Sequence, residues 1–187
     1  DILLIFFRLF LEKVFIELVK GWNLFSIPGK LDIIETKECD SKNIKVLHFA
    51  PEQAFYPRFR RLKNIEYTTT DLNSPLADVH ADICALPFDN NQYDMIICNH
   101  VLEHIPDDLR AMREIYRVLK PGGLAILQVP YQGNREKTFQ DDSITDPKQR
   151  AEIFGQYDHV RVYGMDYFER LRRVGFRVEA FDIANEL

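Results

Sequence analysis

From residue 44 onward the sequence alternates short apolar runs with segments of helical spacing, and this alternation restricts the fold more than any other feature. Residues 44–49, 65–70, 79–83, 94–99, 124–130 and 176–183 read as strands, and 57–62, 102–119 and 166–174 as helices between them. A strand followed by a helix returns to the sheet running in its original direction, because the helix carries the chain back across one face. The pattern predicts an α/β domain with a mostly parallel, doubly wound sheet and helices on both faces. Such a sheet takes ligands beyond the carboxyl ends of its strands, where strand order reverses.

The 187 residues carry 24 Lys+Arg against 29 Asp+Glu, a net charge of −5, with 46% hydrophobic residues. These values suit one packed core and exclude collagen-like, disordered and disulfide-scaffold chains. A mildly acidic balance has no general attraction for a phosphate backbone, so no nucleic-acid partner is expected. Cys39, Cys84 and Cys98 are odd in number and widely spaced. They read as reduced thiols of a cytoplasmic protein. Residues 1–43 are expected to form a leading amphipathic helix and linker, and 44–187 the domain proper. Within the first part, 2–20 has a wide apolar face broken by Arg8, Glu12, Lys13, Glu17 and Lys20, too charged for a bilayer span. Packing on the domain is the favoured reading of that helix, with membrane-surface contact less favoured. The chain lacks an initiator Met and ends soon after a strand-like run, so a shortened chain without a last strand is expected.

The stretch from Tyr93 to Asp108 is the most informative. A buried strand ends in polar Asn99 and His100, an acidic pair opens a helix, and Lys120-Pro121-Gly122-Gly123 leads into the next strand. Asp107 or Asp108 suits the helix start, where amides lack partners, and Lys120 its negative end. Taken together these pieces resemble the class I, Rossmann-like S-adenosylmethionine-dependent methyltransferase superfamily. Asp71, roughly 20 residues beyond His48, stands at the offset where doubly wound nucleotide sites place an acid for ribose hydroxyls. Asp82 and Ile83 lie in a segment like the one with which the family meets adenine, through a side chain and a backbone amide respectively. For either aspartate alone, a turn-capping carboxylate is the competing role.

The resemblance implies cofactor contacts from His48, Phe49, Ala50 and Glu52 after the first strand, from Asp71 and Leu72, from Asp82 and Ile83, and from Asn99 and His100. The first loop departs from the family. Ala50, Glu52 and Ala54 stand where glycines let backbone approach the cofactor, and His48 replaces an acid. In a variant loop that still binds, Glu52 pairs with the ammonium of the methionine moiety. In the alternative, cofactor binding is lost and the domain is a non-catalytic scaffold.

His100-Val101-Leu102-Glu103-His104 also matches the H-x-x-E-H pattern of inverted zinc peptidases. That chemistry needs a helix through both histidines and a third, distant ligand, whereas Pro106 follows two residues after His104 and a strand ends at Asn99, so no metal site is expected. For His104 alone, capping or packing beside the cofactor is the plainer role. Residues 132–150 read as a long polar loop, and the resemblance implies that it faces the methyl acceptor. Tyr131, His159 and Arg161 are the acceptor-side candidates, His159 as base or orienting group and Arg161 as a bidentate clamp on an acid. The competing roles are a surface histidine and an arginine tying the loop to a helix end. The function expected is methyl transfer from S-adenosylmethionine, leaving S-adenosylhomocysteine, to a small-molecule acceptor.

Overall fold

The computed structural model describes residues 44–179. The helix expected over 2–20, the linker after it and Cys39 lie outside them. Two compact units divide the chain. The smaller contributes Ile44 and Gln53–Glu66 to the described residues, the larger Lys45–Glu52 and Tyr67–Glu179. In the smaller, a single helical turn, α1 (Tyr56–Phe59), starts with Pro57 near its amino end and buries Phe59.

Five strands form the main sheet: β1 (Ile44–Phe49), β2 (Ile65–Asp71), β3 (Val79–His80), β4 (Tyr93–Asn99) and β5 (Leu119–Gln128). Their order is β3-β2-β1-β4-β5, and β1 with β4, β2 with β3, and β4 with β5 pair in parallel. The order reverses between β1 and β4, so the crevice of this doubly wound sheet opens at Phe49–Ala50 and Asn99–His100. Beyond the sheet come α2 (Asp108–Val118), a short hairpin of β6 (Phe139–Gln140) and β7 (Arg161–Val162), α3 (Pro147–Phe154) and α4 (Tyr167–Val174).

Strand alternation sets the core. Leu47, Phe49, Ile96 and Cys98 point to one face, where they meet Ala111, Met112, Ile115 and Val118 of α2 and Tyr167 and Leu171 of α4. His48, between Leu47 and Phe49, points to the other face and is fully buried. Asp107 caps α2 by accepting from the Arg110 amide at 3.0 Å, as the acidic pair suggested.

Several predicted boundaries moved, among them the strand expected over 124–130, which spans Leu119–Gln128, and the helix expected over 57–62, which spans Tyr56–Phe59. Residues 102–119 hold a one-turn 3-10 helix, Leu102–His104, before α2; Ile105 is extended and Pro106 lacks the amide a continuous helix requires. The strand expected over 79–83 stops at His80, because Asp82 caps a turn through the Cys84 amide at 2.8 Å. The loop expected over 132–150 contains β6 and the start of α3, which Asp146 caps through the amides of Lys148 and Gln149 at 3.0 Å each. Residues 176–179 form no strand, and the rest of the run predicted there lies outside the described residues.

Candidate functional site

At the carboxyl ends of β1 and β4 three polar side chains converge. The Glu52 carboxylate meets His48 Nε2 through Oε2 at 2.7 Å and accepts from Asn99 Nδ2 through Oε1 at 3.0 Å. His48 Nδ1 lies 2.7 Å from the Tyr67 hydroxyl. Burial pushes the Glu52 carboxyl up, but the hydrogen bond and charge of His48 and the Asn99 amide outweigh it, so the group sits below the ordinary carboxylate range. An ionised carboxylate only accepts, which assigns a hydrogen to His48 Nε2 and turns Asn99 Oδ1 away from it. That oxygen is buried and has no hydrogen-bond partner among the described residues, and the same holds for Gln128 Oε1. Asn99 and Gln128 are register partners at the ends of β4 and β5.

Backbone geometry marks the same edge. Ala50 and His100, each just past its strand, adopt φ of +45° and +53°, a left-handed conformation costing L residues about 1–2 kcal/mol. Ala50 is one of the positions where the resembled family carries glycine. The loop thus keeps a glycine-type backbone without the residue. Phe49 turns its ring into the core, leaving its backbone at the crevice.

Asp71 closes β2, and its Oδ1 accepts from the Asn73 and Ser74 amides at 2.7 Å each, the turn-capping role. Its Oδ2 has no hydrogen bond among the described residues. Leu72 follows, 63% exposed, an apolar surface at the mouth of the crevice. Asp82 is exposed, while the side chain of Ile83 is in the core and its amide makes no hydrogen bond among the described residues. This segment is laced to α2 by Arg110 to the Cys84 carbonyl at 2.9 Å, Glu114 to the Leu86 amide at 2.8 Å, and Arg117 to the Leu86 and Phe88 carbonyls at 3.0 and 2.7 Å. Sequence reasoning missed these three residues. Their i, i+4, i+7 spacing, along one stripe of α2, was the available signal.

Tyr131, His159 and Arg161 line one cavity of about 330 Å³, together with Glu152 and Phe154. Within it Arg161 is 1% exposed and gives all five donors away. Two go to Gln140 Oε1 at 3.1 and 2.7 Å, two to the Leu102 and Pro106 carbonyls at 2.7 Å each, and one to the Ile105 carbonyl. This is the loop-tying role, and it leaves no donor for an acceptor molecule. His159 is buried rather than on the surface, with Nδ1 3.1 Å from the Phe154 carbonyl. Half-exposed Tyr131 sets its ring edge-on to Phe168.

The peptidase arrangement does not form. His100 and His104 flank one 3-10 turn, and His100 is exposed, with Nδ1 3.4 Å from Glu103 Oε1.

Residues 43–127 match the protein family described as a methyltransferase domain. The sheet order and its flanking helices are those of the Rossmann-like methyltransferase fold. Among relatives, demethylmenaquinone methyltransferase of Staphylococcus epidermidis is 46% identical over 48 residues, 26% of this chain and 20% of that protein. The chain therefore matches about a fifth of that relative's length. Among solved structures, the 1,6-didemethyltoxoflavin-N1-methyltransferase of Burkholderia thailandensis, with bound 1,6-didemethyltoxoflavin and S-adenosylhomocysteine, is 16% identical with a TM-score of 0.56, covering 76% of this chain and 64% of that one. An S-adenosylmethionine-dependent methyltransferase of Mesorhizobium loti is 15% identical with a TM-score of 0.51, covering 75% and 77%. At these identities the likeness is one of fold. The Glu52 set occupies the β1/β4 switch point of that fold.

Proposed function

We propose that this methyltransferase domain binds S-adenosylmethionine at the carboxyl edge of its sheet and transfers the methyl group to a small-molecule acceptor in a cytoplasmic setting. The observation that carries the reading is the Glu52 carboxylate, held ionised between His48 and Asn99 at the switch point. Two of its roughly four acceptor positions are used, and the orphaned Asn99 Oδ1 and Gln128 Oε1 lie at the same edge. An unpartnered acceptor in a buried place is costly, so these oxygens fit a ligand bearing an ammonium and hydroxyls.

When bound, the cofactor supplies a methyl group already activated by its sulfonium. Glu52 would hold the ammonium, with His48 and Asn99 orienting it. The spare oxygen of Asp71 would accept from the ribose, its other oxygen being fixed by two amides. Asp82 and the Ile83 amide would meet the adenine edge, with exposed Leu72 against its face. Phe49 and Ala50 would offer backbone at close approach, and His100 would border the methionine end. Tyr131 and His159 would line the acceptor's place, held there by the turn that Arg161 clamps. The remaining work is alignment and exclusion of water, which accounts for about 7–11 kcal/mol of barrier in favourable intramolecular cases.

Calorimetry with S-adenosylhomocysteine tests the reading. One site per chain is expected, and Glu52→Gln should weaken it roughly 10- to 150-fold, the worth of one charge-assisted hydrogen bond. Absence of saturable heat at millimolar ligand would overturn it. Isotopically labelled donor with fractionated metabolites then identifies the acceptor; binding with no labelled product in any fraction would favour a non-catalytic domain.

A further inference from the structure

Glu103 and His104 stand apart from the cofactor residues, and His159 joins them from the lining of the acceptor's place. Each offers one ligand atom, and the three atoms lie within 4.8 Å of one another. Among the described residues this is the one group of three or more such side chains so arranged. Glu103 is 1% exposed, and its Oε2 is buried without a hydrogen-bond partner among the described residues. A buried carboxyl oxygen left without a hydrogen bond costs free energy, unless something binds it.

The histidines are set up in the matching sense. A carbonyl oxygen only accepts, so the 3.1 Å contact of His159 Nδ1 with the Phe154 carbonyl puts the hydrogen on Nδ1 and leaves a lone pair on Nε2. His104 Nδ1 faces Asp158 Oδ2 at 3.4 Å, which favours the same tautomer. Asp158 is itself held, its Oδ1 accepting from Gln156 Nε2 at 2.8 Å. Metal-bound histidines characteristically give their other N–H to a carboxylate or a backbone carbonyl, and here one does each. The two rings meet edge to face, crossing at 80° with centroids 4.7 Å apart.

The two segments are clamped together independently of any ion. The Val160 amide donates to the Glu103 carbonyl at 3.0 Å, and Arg161 binds the carbonyls of Leu102, Ile105 and Pro106 on either side of the pair. Tetrahedral ligands about 2.0–2.2 Å from an ion stand about 3.4 Å apart. Closing onto an ion therefore needs side-chain shifts of about 1.4 Å at most.

We propose that Glu103, His104 and His159 bind one divalent first-row transition-metal ion, with Asp158 and the Phe154 carbonyl as outer supports. Two imidazoles and one carboxylate suit zinc and its neighbours rather than magnesium or calcium. Three protein ligands leave a coordination position open. Because His159 also lines the 330 Å³ cavity, that position is available to an oxygen of the acceptor, which selects an oxygen-bearing acceptor class. The last clause rests on the methyl-transfer reading; the metal site does not.

The full chain, stripped with a chelator, is titrated with Zn²⁺ and separately with Mg²⁺ at pH 7.5, with S-adenosylhomocysteine affinity of the metal-free protein measured in parallel. One Zn²⁺ per chain is expected, with Mg²⁺ at least about 100-fold weaker. His104→Ala and His159→Ala should each weaken Zn²⁺ about 100-fold or more. Asp158→Asn, which removes only an outer support, should weaken it about 10-fold. Circular dichroism and melting establish that each variant is folded; if buried His159→Ala is not, half-exposed His104 and Asp158 decide. Absence of stoichiometric Zn²⁺, binding unchanged in both His104→Ala and Asp158→Asn, or equal affinity for Mg²⁺ would overturn the proposal. Loss of nucleoside binding alone would overturn the methyl-transfer reading and leave the metal site standing.

Discussion

Replacing Arg161 by methionine separates the two roles considered for this residue. The methionine keeps most of the stem's bulk but removes five hydrogen bonds, three of them to the backbone carbonyls of residues 102, 105 and 106. Asp108, whose Oδ2 stands 3.9 Å from Arg161 Nε, keeps Arg170 at 3.0 Å and the Tyr163 hydroxyl at 2.8 Å. The loss is therefore that of charge-assisted bonds to carbonyls, with no carboxylate left alone. Each such bond nets about 1.5–3 kcal/mol, but three on one turn do not add. Removing one member of a buried charged cluster costs about 3–5 kcal/mol. Taking about 4 kcal/mol and a urea slope of about 2 kcal/mol per molar, the unfolding midpoint should fall by about 2 M. Arg161→Lys retains charge but only three donors and no planar fork, and should fall between. Equilibrium urea unfolding, followed by circular dichroism, measures both. A midpoint within about 0.3 M of wild type for Arg161→Met, with acceptor turnover lost, would refute the clamp and restore the substrate-gripping role.

Gly123→Ala should cost about 1–3 kcal/mol in the same assay, because its Cβ would lie 2.8 Å from Leu119 Cδ1 and 2.9 Å from the Asp94 and Lys120 carbonyls; no change would contradict the packing at the β4–β5 irregularity. Ala50→Gly should be neutral to about 1 kcal/mol stabilising, since relief of left-handed strain is set against glycine's greater unfolded freedom; a loss above 1 kcal/mol would mean the loop does not hold φ near +45°. Glu52 has a depressed folded-state pKa, so its ionic contribution is present above the unfolded carboxylate range, near pH 4.3, and is lost as pH falls through the folded value. The stability gap between wild type and Glu52→Gln should be widest above about pH 5 and shrink below about pH 4; a gap that grows on acidification would reverse the assignment.

Much of the sheet was legible because buried parallel strands are apolar on both faces, as in Met95–Cys98, and need no tertiary knowledge to find. The helix α3 was not, since it buries little besides Phe154 and lacks an apolar stripe. Its ends were nevertheless written in Asp146-Pro147 and Gly155, an N-cap, a first-turn proline and a left-handed C-cap. Asp71 could be singled out by its offset from the first strand, and Asp82 and Glu52 by the family segments that their neighbours resemble. What the sequence could not convey was pairing across distance. Glu103 lies 56 positions before His159, and H-x-x-E-H directed attention to His100, which the 3-10 turn leaves exposed. Arg161 was equally ambiguous: the same residue type grips a carboxylate or satisfies carbonyls, and only the partners at 102, 105 and 106 distinguish these.

The central claim is that the carboxyl edge of β1 and β4 seats the sulfur nucleoside. A crystal of the full chain grown with saturating S-adenosylhomocysteine tests it most directly. The account predicts ribose hydroxyls on Asp71, the amino group on Glu52 and the adenine beside Asp82. An edge that stays free of ligand at saturation, or a nucleoside seated elsewhere on the molecule, would contradict it.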